Sequence, residues 1–435
     1  MTAGSPGRTG DGDAAATPST RSSLVSALGV AAAGLVANGL NLIVTIVLAR
    51  VLPVHNHNAA YGAFAQMVGL FIVVSLPGSA IAIAVVRRSS WWLARGGNAE
   101  LEEWRRRTSR QAVRAVALFA VGAALIAPLV ASWLGGRSWL AVLLTTLGAG
   151  CWVAIAVERA FLQACRGYKL LAINFLIEGG ARTVAVLSGA AIWGVTGAVA
   201  GILVSELLTW AHAWWAAARA VPDTALSAPG IPPRGEIGGD LVASICAFAM
   251  LALLQYADVF LVGRLNASGS GRYAAIAVVA KTLVYVAIVL SYYLLPEASL
   301  GHRAGGHARR QLGVVLGLYS IPCVLLVSVT AVAPRALLEI IYPPRLLGAS
   351  GSLAVLTGAM ALLGVSFLLA TYLLARGLRL TAAWLVVGTA FAFTLIWTAN
   401  GNWHVTAVRD LQAQLVIAAG LCAATVAVLA SRRAG

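Results

Sequence analysis

The chain has 435 residues, of which 60% are hydrophobic and only 11% are charged, and its mean hydropathy is +0.86. A soluble domain carries about 25% charged residues, so this composition excludes an ordinary water-soluble protein. The formal charge of +16 does not indicate a nucleic-acid partner, because the arginines lie in short segments between apolar runs, as the positive-inside bias of membrane proteins requires.

Residues 1–23 are dominated by Gly, Ser, Thr, Pro and Asp and predict a disordered tail. The first apolar run, Leu24 to Ala49, is long enough to span a membrane, so no cleavable signal peptide is expected. Beyond it the pattern predicts an all-α polytopic membrane protein with about twelve transmembrane helices. The spans are 24–49, 61–86, 112–134, 139–162, 169–190, 192–218, 240–263, 273–296, 312–333, 351–374, 380–399 and 410–431. A count of eleven or thirteen spans is also compatible with the sequence, because the apolar region 180–218 is hard to divide into separate spans.

The two halves of the chain share a weak repeat. The run from Asn41 to Arg50, followed by Tyr61, has a counterpart in Gln255 to Arg264, followed by Tyr273. The remaining landmarks are two pairs: Arg166-Gly-Tyr-Lys-Leu-Leu-Ala172 with Arg376-Gly-Leu-Arg-Leu-Thr-Ala382, and Ala127-Pro128 with Ala333-Pro334. All recur in one order at offsets of 206 to 214 residues. Such symmetry is typical of transporters and predicts two six-helix lobes, 24–218 and 240–431, joined by a Pro/Gly-rich cytoplasmic linker at 219–239.

The distribution of basic residues predicts the orientation. If the N-terminus is inside, the inner segments hold 22 Lys and Arg residues and the outer segments hold 7. This asymmetry predicts that both termini are cytoplasmic, in the plasma membrane. The most charged inner loop also contains Trp91, Trp92, Leu93, Leu101 and Trp104, which could lie on the bilayer; an ordinary loop is equally consistent with the sequence.

Charged side chains inside the predicted spans are the candidate functional groups, because a charge in hydrocarbon needs a partner or a water-filled cavity. Glu178 and Arg182 are four residues apart on one helix face and can pair, whereas Glu206 has no evident local partner. Asp258 and Lys281 lie at similar depths in consecutive spans, which predicts an ion pair between them. No P-loop, catalytic triad or paired-cysteine motif is present, so no enzyme activity, catalytic residue, metal or cofactor is predicted.

Three stretches resemble the multidrug/oligosaccharidyl-lipid/polysaccharide (MOP) flippase superfamily, and its Wzx-like polysaccharide flippases most closely. They are NLIVTIVLARVL…YGAFAQ from Asn41, ADVFLVGRL…RYAAIAVVAKTL…LLPEAS from Ala257, and LLEIIYPPRLLGASGSLAVLTGAMALLGV from Leu337. The resemblance implies a MATE-like fold, with two lobes around a central cavity that opens alternately to each side. It also implies movement of a polyprenyl-phosphate- or pyrophosphate-linked sugar from the inner to the outer leaflet.

A phosphate-bearing substrate needs cationic or polar contacts on its path. The residues expected to contact its headgroup are Arg182, Lys281, Arg50, Arg264, Asn41 and Gln255. Asp258, Glu206 and Glu178 are expected to take part in ion coupling or in ion pairs. The alternative arrangement pairs Arg182 with Glu178 and Lys281 with Asp258, and it leaves no net positive cavity.

Two other functions stay open on the sequence. One is an ion-coupled drug or cation antiporter of the same fold, which would favour acidic cavity residues. The other is a membrane enzyme acting on lipid-linked sugars, which would need catalytic outer loops that the sequence does not contain. The expected partners are the polyprenyl-linked glycan lipid, membrane lipids and glycan-synthesis enzymes, and the expected state is a monomer.

Overall fold

The computed structural model describes residues 20–52, 59–93, 98–221, 237–299 and 305–431. Within these ranges the elements are helices, joined by short turns, and no strand occurs. The predicted tail up to residue 19 and residues 222–236 of the predicted linker lie outside the described residues. The helix that follows the tail begins at Thr20, four residues before the first predicted span.

The described residues form thirteen α-helices in chain order. They are α1 (Thr20–Val51), α2 (Ala59–Ser75), α3 (Gly78–Leu93), α4 (Asn98–Trp133), α5 (Trp139–Ala164), α6 (Tyr168–Ala220), α7 (Ile237–Leu265), α8 (Ser270–Ser299), α9 (Gly305–Val332), α10 (Pro334–Ile341), α11 (Leu353–Ala375), α12 (Leu380–Trp397) and α13 (Trp403–Ser431), with 3₁₀ helices at Ala267–Gly269 and Pro344–Ser352.

The described helices cross the membrane twelve times. Eleven segments are long and apolar enough to span, and the longest of them, α6, folds back on itself at Trp193 and Gly194. Gly194 has φ 57° and ψ −133°, a conformation that glycine adopts without steric penalty. The first arm of α6 (168–192) and the second arm (195–220) therefore count as two crossings. The predicted division of this region, between residues 190 and 192, lies within a few residues of the turn.

Proline has different effects at three positions inside the predicted spans. Pro77 lies between α2 and α3, so it interrupts the second crossing. Pro128 lies inside α4 and Pro322 inside α9, and both of these helices are continuous. The repeat is also inexact here, because Pro334, the counterpart of Pro128, begins the separate helix α10.

Helices α1–α6 form one group and α7–α13 another; helices pack mainly within their own group, except that α2 packs more against α7 and α8. We call these two groups the first and the second lobe. They meet where α2 and α3 contact α7 and α8. The repeat-related helices α4 and α9 lie at the periphery, where Leu125 is 77% exposed and Leu325 is 66% exposed. Large apolar side chains exposed on this scale indicate a surface in contact with lipid.

The end of α3 and the beginning of α4 pack on the protein. Trp92 and Leu101 are buried, and the Trp104 ring stacks edge-on against Phe161 of α5 with 5.2 Å between centroids. Arg88 lies over the Trp104 ring, 5.3 Å from its centroid. The suggestion that these three apolar side chains lie on the bilayer is therefore wrong. These three side chains are part of an apolar cluster that also includes residues of α5 and α6.

Candidate functional site

The first lobe encloses a network of two arginines and two glutamates. Arg182 bonds Glu178 at 3.0 Å on its own helical arm, and it also bonds Glu206 on the second arm of α6. Arg159 of α5 bonds the other oxygen of Glu178 at 2.6 Å and the Asn174 side chain at 2.6 Å. Opposite charges are thus matched in number, and the network as a whole is neutral.

Glycines bring the two arms of α6 close enough for Arg182 to reach Glu206. A Cβ atom at Gly189 or Gly197 would collide with the backbone of the other residue, and one at Gly201 would collide with the first arm. We call these three residues the glycine seam. It explains why Glu206, which has no partner within its own arm, still finds a guanidinium.

The second lobe encloses the ion pair predicted between α7 and α8. Lys281 Nζ lies 2.9 Å and 3.0 Å from the two carboxylate oxygens of Asp258, and the Tyr273 hydroxyl donates to Asp258 at 3.1 Å. The ammonium also lies 5.0 Å from the ring centroid of Tyr256. Asp258 and Lys281 are both buried, so the ammonium does not face an open cavity in this conformation.

A second carboxylate, Asp410 on α13, lies beside this pair and was not selected from the sequence. It is fully buried and near enough to Asp258 and Lys281 to interact electrostatically with both. The Gln414 amide donates to its Oδ1 at 3.1 Å, whereas its Oδ2 has no hydrogen-bond partner among the described residues. Of these two carboxylates, Asp258 forms the ion pair with Lys281. Asp410 was not selected because the predicted span began at this residue, whereas α13 begins at Trp403 and so carries Asp410 inside the helix.

Arg50 and Arg264, two of the residues expected to contact the headgroup, both bind the main chain of the opposite lobe. Arg50, in the last turn of α1, donates to the carbonyl of Ile341 at 3.2 Å. Arg264, in the last turn of α7, donates to the carbonyl of Trp133. Its guanidinium also lies over the rings of Trp133 and Trp397, at 5.7 Å and 5.5 Å from their centroids. Both arginines thus lie at the boundary between the lobes.

The repeat-related amide side chains of Asn41 and Gln255 have buried atoms without hydrogen-bond partners among the described residues. Gln255 is buried on α7, and neither its side-chain oxygen nor its nitrogen has a hydrogen-bond partner in the described part of the chain. The Asn41 side-chain oxygen is likewise buried without a partner there. Such groups are costly in hydrocarbon, which makes both positions candidates for a ligand or a water molecule.

A small cleft lies between the lobes, beside the break between α2 and α3. Apolar residues and two serines line it: Leu76, Ser79, Ile83, Phe248, Ile288, Ser291 and Phe367. The charged residues selected from the sequence are not part of this lining. Arg182 and Lys281 are instead held inside their lobes by carboxylates, which is the alternative arrangement considered above.

Solved structures of MOP superfamily proteins share this fold. A MOP superfamily transporter from Pyrococcus furiosus is 14% identical, with 94% of this chain and 96% of that chain covered and a TM-score of 0.64. A multidrug resistance MATE family transporter in an inward-facing conformation is 12% identical, with 90% and 95% covered and a TM-score of 0.62. The lipid II flippase MurJ in an inward closed conformation is 13% identical, with 91% and 87% covered and a TM-score of 0.62. No protein-family model and no curated protein sequence matches the chain.

Proposed function

We propose that this protein is a flippase for polyprenyl-phosphate- or pyrophosphate-linked sugars. The chain is a multi-pass membrane protein and has the fold of MOP transporters. The lipid-linked sugar moves from the inner to the outer leaflet as the two lobes rock around the cleft between them. The product serves the synthesis of a cell-envelope polysaccharide.

The charge along the boundary between the lobes carries this proposal. Arg50 and Arg264 lie there, and among the described residues neither forms an ion pair with a carboxylate. The carboxylates of Glu206 and Asp258 are instead buried inside the lobes. A path whose positive charge is not neutralised by carboxylates suits a phosphate group, because guanidinium forks match its oxygens.

Ion-coupled antiport of a drug or cation is the second candidate, and one observation favours it. Each lobe contains a buried carboxylate oxygen without a hydrogen-bond partner among the described residues, Glu206 Oε2 in the first and Asp410 Oδ2 in the second. Groups of this kind suit the binding and release of a proton or a metal cation. Ion coupling is also compatible with flipping, so the two candidate functions are distinguished by which substrate is transported.

We place the protein in the plasma membrane as a monomer, with both termini in the cytoplasm. There it would receive its lipid-linked substrate from glycan-synthesis enzymes on the inner leaflet. The basic residues of the inner segments support this orientation.

Depletion of the protein in its own cells tests the proposed substrate. We expect lipid-linked sugars to accumulate on the inner leaflet, where an impermeant glycosidase added outside cannot reach them. Re-expression should clear them, and re-expression of Arg264→Gln should clear them more slowly. Unchanged lipid-linked sugars together with raised sensitivity to cationic dyes would support the antiporter instead.

A further inference from the structure

Arg50 is one half of a reciprocal contact between the lobes. Its guanidinium donates to the carbonyl of Ile341 at the end of α10. In return Arg345, which follows α10, donates to the carbonyl of Ala49 at the end of α1 at 2.8 Å. Each arginine thus binds the C-terminal carbonyls of a helix in the other lobe. We call this pair the first clasp.

The same arrangement occurs a second time, with the lobes exchanged. Arg264 donates to the carbonyl of Trp133 at the end of α4, and Arg137, which follows α4, donates to the carbonyl of Gly263 near the end of α7 at 3.4 Å. Arg137 also donates to the Gln66 side chain at 2.7 Å. We call this pair the second clasp.

The internal repeat relates the two clasps residue by residue. Arg264 follows Arg50 by 214 residues, and Gly263 follows Ala49 by the same number. Ile341 follows Trp133 by 208 residues, and Arg345 follows Arg137 by 208. Each arginine of the first clasp and each carbonyl that it binds therefore has an equivalent in the second clasp. A contact made twice by equivalent residues is a property of the fold and not of one side-chain conformation.

Helix ends make these contacts favourable. The last carbonyls of a helix have no partner within it and carry partial negative charge, so a guanidinium there gains both a hydrogen bond and an electrostatic interaction. Both clasps lie on the face where α1 and α7 end, which we call the outer face in keeping with the proposed orientation. Beneath them the lobes touch closely, because Gly62 of α2 leaves no room for a Cβ atom against Ser270 of α8.

We propose that the two clasps are the gate of the outer face. They hold the lobes together there in the conformation described, and all of these hydrogen bonds break when the lobes separate. Arg137 and Arg345 are therefore gating residues in the same sense as Arg50 and Arg264. The inference rests on the fold and on the boundary between the lobes, and it does not depend on which substrate is carried.

Cysteine accessibility tests the gate. In a variant whose five native cysteines are replaced, Ser270→Cys is a buried reporter beneath the clasps, and Ser268→Cys is an exposed reporter on the same turn. Arg137→Gln and Arg345→Gln each disable one clasp. Arg335→Gln is the matched control, because Arg335 is an exposed arginine of α10 whose partner is Glu339 of the same helix.

We expect an impermeant maleimide added outside to label Ser270→Cys about tenfold faster when one clasp is lost, and faster again when both are lost. The control should label at the original rate. The gate would be overturned if the parent, the two single variants and the double variant were labelled at equal rates. It would also be overturned if Arg335→Gln raised the labelling rate as much as the loss of a clasp. If Ser268→Cys is not labelled from outside in any protein, the proposed orientation is wrong instead, and the reagent is then added from the other side.

A second measurement covers the case in which Ser270→Cys folds poorly. Spin labels at Ser132→Cys and Ser268→Cys, both exposed near the outer ends of α4 and α7, report the distance between the lobes. We expect a single short distance in the parent protein and an added population at longer distance when both clasps are lost. An unchanged distance distribution would contradict the proposal.

Discussion

Asp410 illustrates how the charged residues inside the lobes depend on one another. It lies close enough to Asp258 and Lys281 to interact electrostatically with both, and one of its oxygens has no hydrogen-bond partner in the described part of the chain. Taking one member away from such a group leaves an unpaired charge in a medium that solvates it poorly. The residues of the cluster should therefore act on stability as a unit.

Lys281→Met is the clearest test of this dependence. We expect it to lower the free energy of unfolding by about 3–5 kcal/mol, because it leaves the buried Asp258 carboxylate without its cation. Lys281→Met combined with Asp258→Asn should lose less than the sum of the two single variants. Thermal unfolding in detergent micelles gives the comparison, and simple additivity would count against the ion pair.

The first-lobe network allows the structural and transport roles of Arg182 to be separated. Arg182→Gln leaves Glu206 unpaired and should reduce stability, whereas Arg182→Gln with Glu206→Gln should restore much of it. If Arg182 also contacts the substrate headgroup, the stable double variant still fails to flip the lipid-linked sugar. Normal transport by that double variant would limit Arg182 to holding the two arms of α6 together.

At the scale of elements, the glycine seam decides where the charges of α6 meet. The second arm returns along the first because the backbones approach at Gly189, Gly197 and Gly201, and this brings Glu206 to Arg182. Hydropathy predicted both arms, since each is a long apolar run. The pairing was hidden from the sequence, because it depends on which faces of the two arms touch.

Gly197→Ala tests the seam with a single methyl group. The added Cβ would collide with the carbonyl of Gly189, so the arms must separate and the thermal unfolding temperature should fall. Gly180→Ala on the first arm is the matched control, because nothing lies within 4 Å of the Cβ position there. Alanine favours a helix over glycine by about 1 kcal/mol, so the control should be neutral or stabilising. Equal destabilisation by both variants would contradict the seam.

Other elements show the same division between what the sequence predicts and what it cannot. The break at Pro77 follows from local chemistry, because proline lacks an N–H group and disrupts a helix interior. The roles of Arg159, Asp410, Arg137 and Arg345 depend on contacts between distant helices. Arg137 and Arg345 lie between predicted spans, and only the packing of the two lobes gives them carbonyl partners.

On the scale of the whole molecule, the structure is closed where α1 and α7 end and has a small apolar cleft beside the break between α2 and α3. Alternating access requires the opposite arrangement as well, in which the clasps are broken. The charges enclosed in each lobe can move with it as a rigid unit, while the contacts between lobes are remade.

The orientation of the molecule is open to a direct test. Ser90 at the end of α3 and Ser268 before α8 are both exposed, at opposite ends of their crossings. An impermeant maleimide added to intact cells should label Ser268→Cys and leave Ser90→Cys unlabelled until the membrane is opened. The reverse pattern would place the termini outside and turn the clasped face toward the cytoplasm.

Reconstitution tests the central claim most directly. Purified protein in lipid vesicles is given a short-chain polyprenyl-pyrophosphate disaccharide, and an enzyme added outside measures the fraction of this lipid that becomes accessible over time. The account predicts movement of the sugar lipid between leaflets that is slowed by Arg264→Gln, with no transport of a cationic dye. Dye transport driven by an ion gradient, with the sugar lipid left in its original leaflet, would contradict it.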